Sequence, residues 1–89
     1  MKKAGLMADK NLIALTKMRS GHSGVIAEIQ GGFHLNARLN ALGLMPGKRI
    51  TKISSMMGQG PVTIEVDRAQ LAIGFGMANR IMINLDRVG

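Results

Sequence analysis

The chain has 89 residues, with 12 Lys and Arg against 5 Asp and Glu, a formal charge of +7, 46% hydrophobic residues and no cysteine. That length allows one domain with a modest core, and the lack of cysteine excludes disulfides and thiolate metal sites. The positive charge suits an acidic partner, whether nucleic acid, anionic lipid or an acidic protein face; it is equally what scattered surface lysines would give for solubility alone.

Residues 1–11 have no period and no capping pattern and read as a flexible leader ahead of a domain at 12–89. The apolar stretch Ala4–Ala8 is too short for the h-region of a signal peptide. The uncharged stretch Ala69–Asn79 is Gly-rich and too short to span a bilayer. The expectation is a soluble, cytoplasmic protein. Leu12-Ile13-Ala14-Leu15 reads as a first strand or a single turn, and Lys17 to Gly24 as a turn. Val25 to Ile29 alternates as a strand, with Val25, Ala27 and Ile29 expected on one face.

After Gly31-Gly32 the period changes. Leu35, Leu39 and Leu42 recur at helical spacing, Arg38 borders that stripe, and Gly43 stands where a helix C-cap needs it. Met45-Pro46-Gly47 suits a type II turn. Lys48 to Ser55 reads as a strand whose Ile50 and Ile53 point to opposite faces unless a bulge intervenes. Met56 to Gly60 is a loop. Pro61 opens the most regular strand, with Val62, Ile64 and Val66 inward; Asp67-Arg68 turns the chain. Leu71-Ala72-Ile73 is a short strand, Gly74 to Asn79 a break, and Ile81, Ile83 and Leu85 the last strand. The fold class is mainly β: a five-stranded small barrel with one short helix inserted after the second strand.

Chemistry-bearing motifs are missing. Neither Gly58-Gln59-Gly60 nor Gly74-Phe75-Gly76 completes a phosphate-binding glycine pattern, and Gly21-His22-Ser23-Gly24 does not make a nucleophile elbow. His22 and His34 lie in separate segments without ligand spacing. No catalytic, cofactor or metal residues are assigned, and an enzyme is not expected. The eight methionines include Met56-Met57 in a loop; they fill core gaps or offer an adaptable docking surface. Arg38, Lys48, Arg49 and Lys52 form the nearest approach to a basic cluster, able to meet an acidic partner face or, for Arg38, simply to lay its stem over the leucine stripe with its charge in water. The candidate partner-binding residues are Arg38, Arg49, Met56 and Met57. Phe33 and Phe75, the only aromatics, are expected in the core.

The run Leu12…Leu15, Gly21, Gly24-Val25, Ile29, Gly31-Gly32, Arg38-Leu39, Leu42-Gly43-Leu44-Met45-Pro46-Gly47, Gly60-Pro61-Val62-Thr63-Ile64-Glu65-Val66, Leu71-Ala72-Ile73-Gly74 and Met77-Ala78 resembles the FeoA family from about Leu12 to Leu85. Leu-Gly-Leu-Met-Pro-Gly after an Arg-Leu helix is the most specific segment. The resemblance implies an SH3-like barrel that serves bacterial ferrous-iron uptake as a regulatory accessory, docking on the cytosolic part of a FeoB-type permease and reaching the inner membrane face through that partner. It implies no catalytic residues. The chain is more basic and richer in Met than the family pattern. A second reading is a nucleic-acid-binding barrel similar to KOW modules, suggested by Gly21-His22-Ser23-Gly24-Val25 and the charge; the scarcity of aromatic stacking platforms speaks against it. Polyproline recognition needs an aromatic groove that two Phe cannot build. Exposed strand edges would also let a small barrel pair with its own copy.

Overall fold

The computed structural model describes residues 12–55 and 58–86; the expectations for the leader 1–11, for Met56 and Met57, and for residues 87–89 lie outside them. The elements run β1 (Leu12–Ala14), a 3₁₀ turn (Leu15–Lys17), β2 (Ser23–Ile29), α1 (Phe33–Ala41), β3 (Arg49–Ser55), β4 (Val62–Val66), β5 (Ala69–Ile73), α2 (Phe75–Ala78) and β6 (Ile81–Leu85). The six strands form one antiparallel sheet in the order β1-β6-β2-β3-β4-β5. It encloses a single core of Leu15, Ile26, Leu39, Leu44, Ile50, Ile64, Ile73, Ile81 and Ile83 with their neighbours. Six strands stand where five were expected, because Leu12–Ala14 makes a short strand on β6 before the chain tightens into the 3₁₀ turn. The first apolar run is thus both strand and turn.

The face of β2 differs from the alternation Val25, Ala27, Ile29. Ile26 opposes Ile83 while Glu28 opposes Met82, so Ala27 is an extra residue. This bulge lets Ile26 and Ile29, three apart, both point into the core. Gly24 precedes them on the same inward face. A Cβ there would lie 2.5 Å from Ile83 Cγ2 and 2.7 Å from the Asn84 carbonyl oxygen, so only glycine lets β2 and β6 approach this closely. In β3 the bulge expected from Ile50 and Ile53 is present: Lys52 opposes Ile64 and Ser54 opposes Thr63, leaving Ile53 as the extra residue.

The turns follow from residue chemistry. At the end of α1, Gly43 takes φ +88°, Leu44 N donates to Leu39 O at 2.9 Å, and Gly43 N donates to Asn40 O at 2.9 Å. This pair of bonds is a Schellman closure, and both Leu39 and Leu44 are buried beneath it. Lys48 N then donates to Met45 O at 3.0 Å across Pro46-Gly47, with Gly47 at φ +96°, the type II turn the sequence predicts. Gly47 N donates to Ile26 O at 2.8 Å and Ile26 N to Lys48 O at 2.9 Å, stitching this turn to β2. Asp67 and Arg68, at φ 51° and 69°, form the two-residue link between Val66 and Ala69, a type I′ hairpin turn made without glycine. The segment read as a break, Gly74 to Asn79, contains the one-turn helix α2, whose Ala78 is fully buried.

Lys52 overturns one reading of the sequence. Grouped there with the surface cations, it is 2% exposed. It lies on the inward side of β3, and its ammonium donates to Leu15 O (3.2 Å), Thr16 O (3.2 Å) and Met18 O (2.7 Å). Leu15 O also accepts from Met18 N at 3.2 Å, whereas Thr16 O and Met18 O lie where a helix end leaves acceptors unpaired. An ammonium has three protons, and each finds one acceptor. Lys52 also holds the next stretch by its backbone: its N–H donates to His22 O at 2.9 Å and its carbonyl accepts from Gly21 N at 2.7 Å. No carboxylate among the described residues pairs with it. Loss of water therefore pushes its pKa below the ordinary lysine value.

Three outcomes follow. Gly24→Ala is expected to destabilise the domain by about 1–3 kcal/mol through overpacking against a backbone oxygen that cannot retreat, read as a drop in Tm. Arg68→Gly relieves a left-handed residue and is expected to stabilise by about 0.5–1 kcal/mol, read from denaturant midpoints at unchanged m. Lys52→Met removes the ammonium donor of Thr16 O and Met18 O, Leu15 O keeping the Met18 N–H, and is expected to cost roughly 2–4 kcal/mol at neutral pH. Because the folded-state pKa of Lys52 is depressed, the unfolded chain holds more protons in the alkaline range. The wild type therefore gains stability relative to Lys52→Met as pH rises from the depressed value towards the ordinary lysine value, and loses it again as pH falls. Urea titrations at steps from pH 7 to 10.5 measure both effects.

Candidate partner-docking surface

The described residues hold no cleft or enclosed pocket and no group of three metal-ligating side chains. What they offer is a surface. Large apolar side chains left in water are Phe33 at 80% exposure, Leu42 at 44% and Met45 at 40%, all on α1 or the turn that follows it. Phe33 is the first residue of α1 and was expected in the core. It points outward because the inward side of the helix is already taken by Leu35 and Leu39, which lie roughly 160° and 120° round the helix from it at about 100° per residue.

The outward half of α1 can be read from the same geometry. Phe33, Ala37 and Ala41 share an arc of about 80°, with His34, Arg38 and Leu42 completing roughly half the circumference. All six are exposed. Leu42 lies within about 20° of Leu35 on the wheel yet is exposed at the end of the helix, and Leu44 is the residue that the Schellman closure buries there. The Phe33 and His34 rings meet edge to face with centroids 5.7 Å apart. Phe75, the other aromatic, is half-buried.

Electrostatically this face is one-signed. No Asp or Glu occurs between Glu28 and Glu65. The first turn of α1 has no acidic residue and no side-chain cap at Gly32, so the positive end of the helix dipole is uncompensated there. The four cations grouped in the sequence meet different fates. Lys48 pairs with Asp67 at 2.8 Å and Arg49 with Asp86 at 2.5 Å, both at the surface, where such pairs contribute little. Lys52 is buried. Arg38 is exposed and has no carboxylate partner among the described residues. Of the candidates Arg38, Arg49, Met56 and Met57, only Arg38 stands on the apolar face of α1, and the two methionines lie outside the described residues. Phe33 and Met45 were not singled out as surface residues. The signal available in the sequence was that Phe33 stands two residues before Leu35, off the leucine stripe.

Comparison with known proteins places this surface on a familiar frame. A model of the FeoA domain matches residues 13–85. A crystal structure described as an iron uptake regulatory protein, FeoA, is similar at 35% identity and TM-score 0.76, over 83% of this chain and 96% of that one. The solution structure of FeoA from Chlorobium tepidum superposes with TM-score 0.74 at 16% identity, over 82% and 70% of the two chains. A manganese-dependent transcriptional repressor shares the fold at TM-score 0.76 and 19% identity; this chain spans 41% of its length. None of the curated proteins compared matches. With the FeoA domain covering nearly all of the described residues and its Leu-Gly-Leu-Met-Pro-Gly turn closing α1 in the structure, the chain belongs to the FeoA family.

Proposed function

We propose that the protein is a non-enzymatic accessory of ferrous-iron uptake that works in the cytoplasm and docks, through the outward half of α1, on the cytosolic part of a FeoB-type permease. The observation that carries this reading is the exposed apolar and carboxylate-free face of α1 on a chain of the FeoA family. Exposed aromatic and Arg side chains are those that anchor interfaces. Membrane proximity comes through the partner, since no helix among the described residues is long and apolar enough to cross a bilayer.

Arg38 belongs to the proposed contact, with Phe33 at its centre. Arg49, whose side chain is 60% exposed beside Asp86, and Met56 and Met57 extend it as further positions. The test is binding of the purified protein to the cytosolic domain of the permease from the same host, with and without guanine nucleotide, at low and moderate salt. Phe33→Glu and Arg38→Glu are each expected to weaken binding at least tenfold, corresponding to about 1.4 kcal/mol, while Tm stays within a few degrees. Arg49→Glu, Met56→Ser and Met57→Ser delimit the surface. Absence of binding to both the isolated domain and the intact permease would reject the reading.

A further inference from the structure

The sheet has two free edges, and they are not alike. β1 has three residues and runs straight into the 3₁₀ turn, whereas β5 has five and pairs with β4 on one side only. Among the described residues, no backbone N–H or carbonyl of Ala69–Ile73 bonds outside the β4–β5 ladder. The hairpin decides which of these groups are free. A two-residue turn closes on a hydrogen-bonded pair, here Val66 and Ala69, and bonded and non-bonded pairs alternate from there. Ala69, Leu71 and Ile73 therefore direct their N–H and carbonyl groups to β4. Gln70 and Ala72, both exposed, aim theirs away from the sheet.

Such edges are usually blunted by lysine, proline, a bulge or a covering segment. The register of β5 is unbroken, and no charged residue or proline occurs from Ala69 to Asn79. We propose that β5 pairs antiparallel with β5 of a second copy of this chain, across a twofold axis at Leu71. In that register Gln70 opposes Ala72 of the second copy on either side of the axis. Each such pair exchanges both bonds, so every outward N–H and carbonyl of the two strands is satisfied. The two Leu71 residues form the non-bonded pair at the centre, where side chains lie closest. Leu71 is half-buried against the core, and the second leucine covers what remains in water.

This self-match selects a second copy over a strand of another protein. The free groups lie symmetrically about an apolar centre, and the edge carries no charge that calls for an opposite one. In the same register Arg68 lies opposite Gly74 and Asp67 opposite Phe75, so no like charges meet at the contact. The pairing uses no residue of α1 and stands independently of the docking reading.

Hydrogen exchange on the ¹⁵N-labelled full chain, with sedimentation equilibrium, tests the proposal. At ~10 μM the Gln70 and Ala72 amides are expected to exchange at least tenfold faster than those of Leu71 and Ile73; at ~1 mM they slow at least threefold as a dimer forms. A contact this small associates weakly. It is expected to strengthen as salt rises, because each copy carries a formal charge of +7. Ala72→Pro removes an outward donor and leaves the β4 ladder intact, and is expected to weaken the dimer tenfold or more. The chain has no cysteine, so Leu71→Cys places one thiol per copy at the axis, where Cα atoms about 4.5 Å apart permit a disulfide. On mild oxidation it is expected to cross-link at least tenfold faster than Gln70→Cys, whose two positions stand diagonally, about 7–8 Å apart. This comparison decides the matter even where Ala72→Pro fails to fold. A monomer at ~1 mM, assemblies larger than a dimer such as β5-to-β1 pairing would give, or equal cross-linking of the two cysteine variants overturns the proposal.

Discussion

The fold hangs on the ammonium of Lys52. One side chain from β3 crosses the interior and gathers three carbonyls of the 3₁₀ turn, while the backbone of the same residue fastens Gly21 and His22. The whole connection from β1 to β2 is thereby tied to the middle of the sheet by one residue. That connection buries Leu15 and Met18 and packs against α2. Without this tie, Thr16 O and Met18 O would lose the ammonium that they accept from, while Leu15 O would keep the Met18 N–H. An uncompensated interior charge is normally avoided; here three carbonyl oxygens surround it. The arrangement also explains how a chain with so little aromatic content closes a compact core, since branched aliphatic residues fill the sheet and a polar staple fixes the segment they do not reach.

Much of this architecture could be read from residue patterns. The stripe of Leu35 and Leu39, the Gly43 cap, the Met45-Pro46-Gly47 turn and the alternation in β4 and β6 are local signals, each with one physical meaning, and each reappears in space. The misreadings arise where a tertiary neighbour decides. The bulge at Ala27 turns Ile26 inward because β6 offers Ile83 opposite it, and no period within β2 announces that. Lys52 sits two residues from Ile50 on an alternating strand, so its position was inward all along. Its charge argued for water more strongly than its place argued for the core. The helical turn at Phe75–Ala78 is too short to show a period.

The surface was less legible than the core, for a related reason. A buried residue must satisfy packing, which constrains its type; an exposed one satisfies only solubility, which constrains little. Charge clustering along the chain brought together Arg38, Lys48, Arg49 and Lys52. In space one of them is interior and two are engaged by Asp67 and Asp86, aspartates distant in sequence. Phe33 was assigned to the core by hydrophobicity alone, although its position on the helix wheel sets it opposite the leucines. The wheel was the better guide, because a helix packed on a small sheet has only one side to bury.

The absence of carboxylates from the segment that builds α1 and the turn after it has a consequence for what Arg38 can meet. Lys48 is engaged by Asp67 at 2.8 Å, whereas Arg38 has no carboxylate beside it among the described residues. A negative charge that comes to rest on Arg38 is therefore supplied by an opposing surface, and the helix presents an open terminal that a second molecule closes.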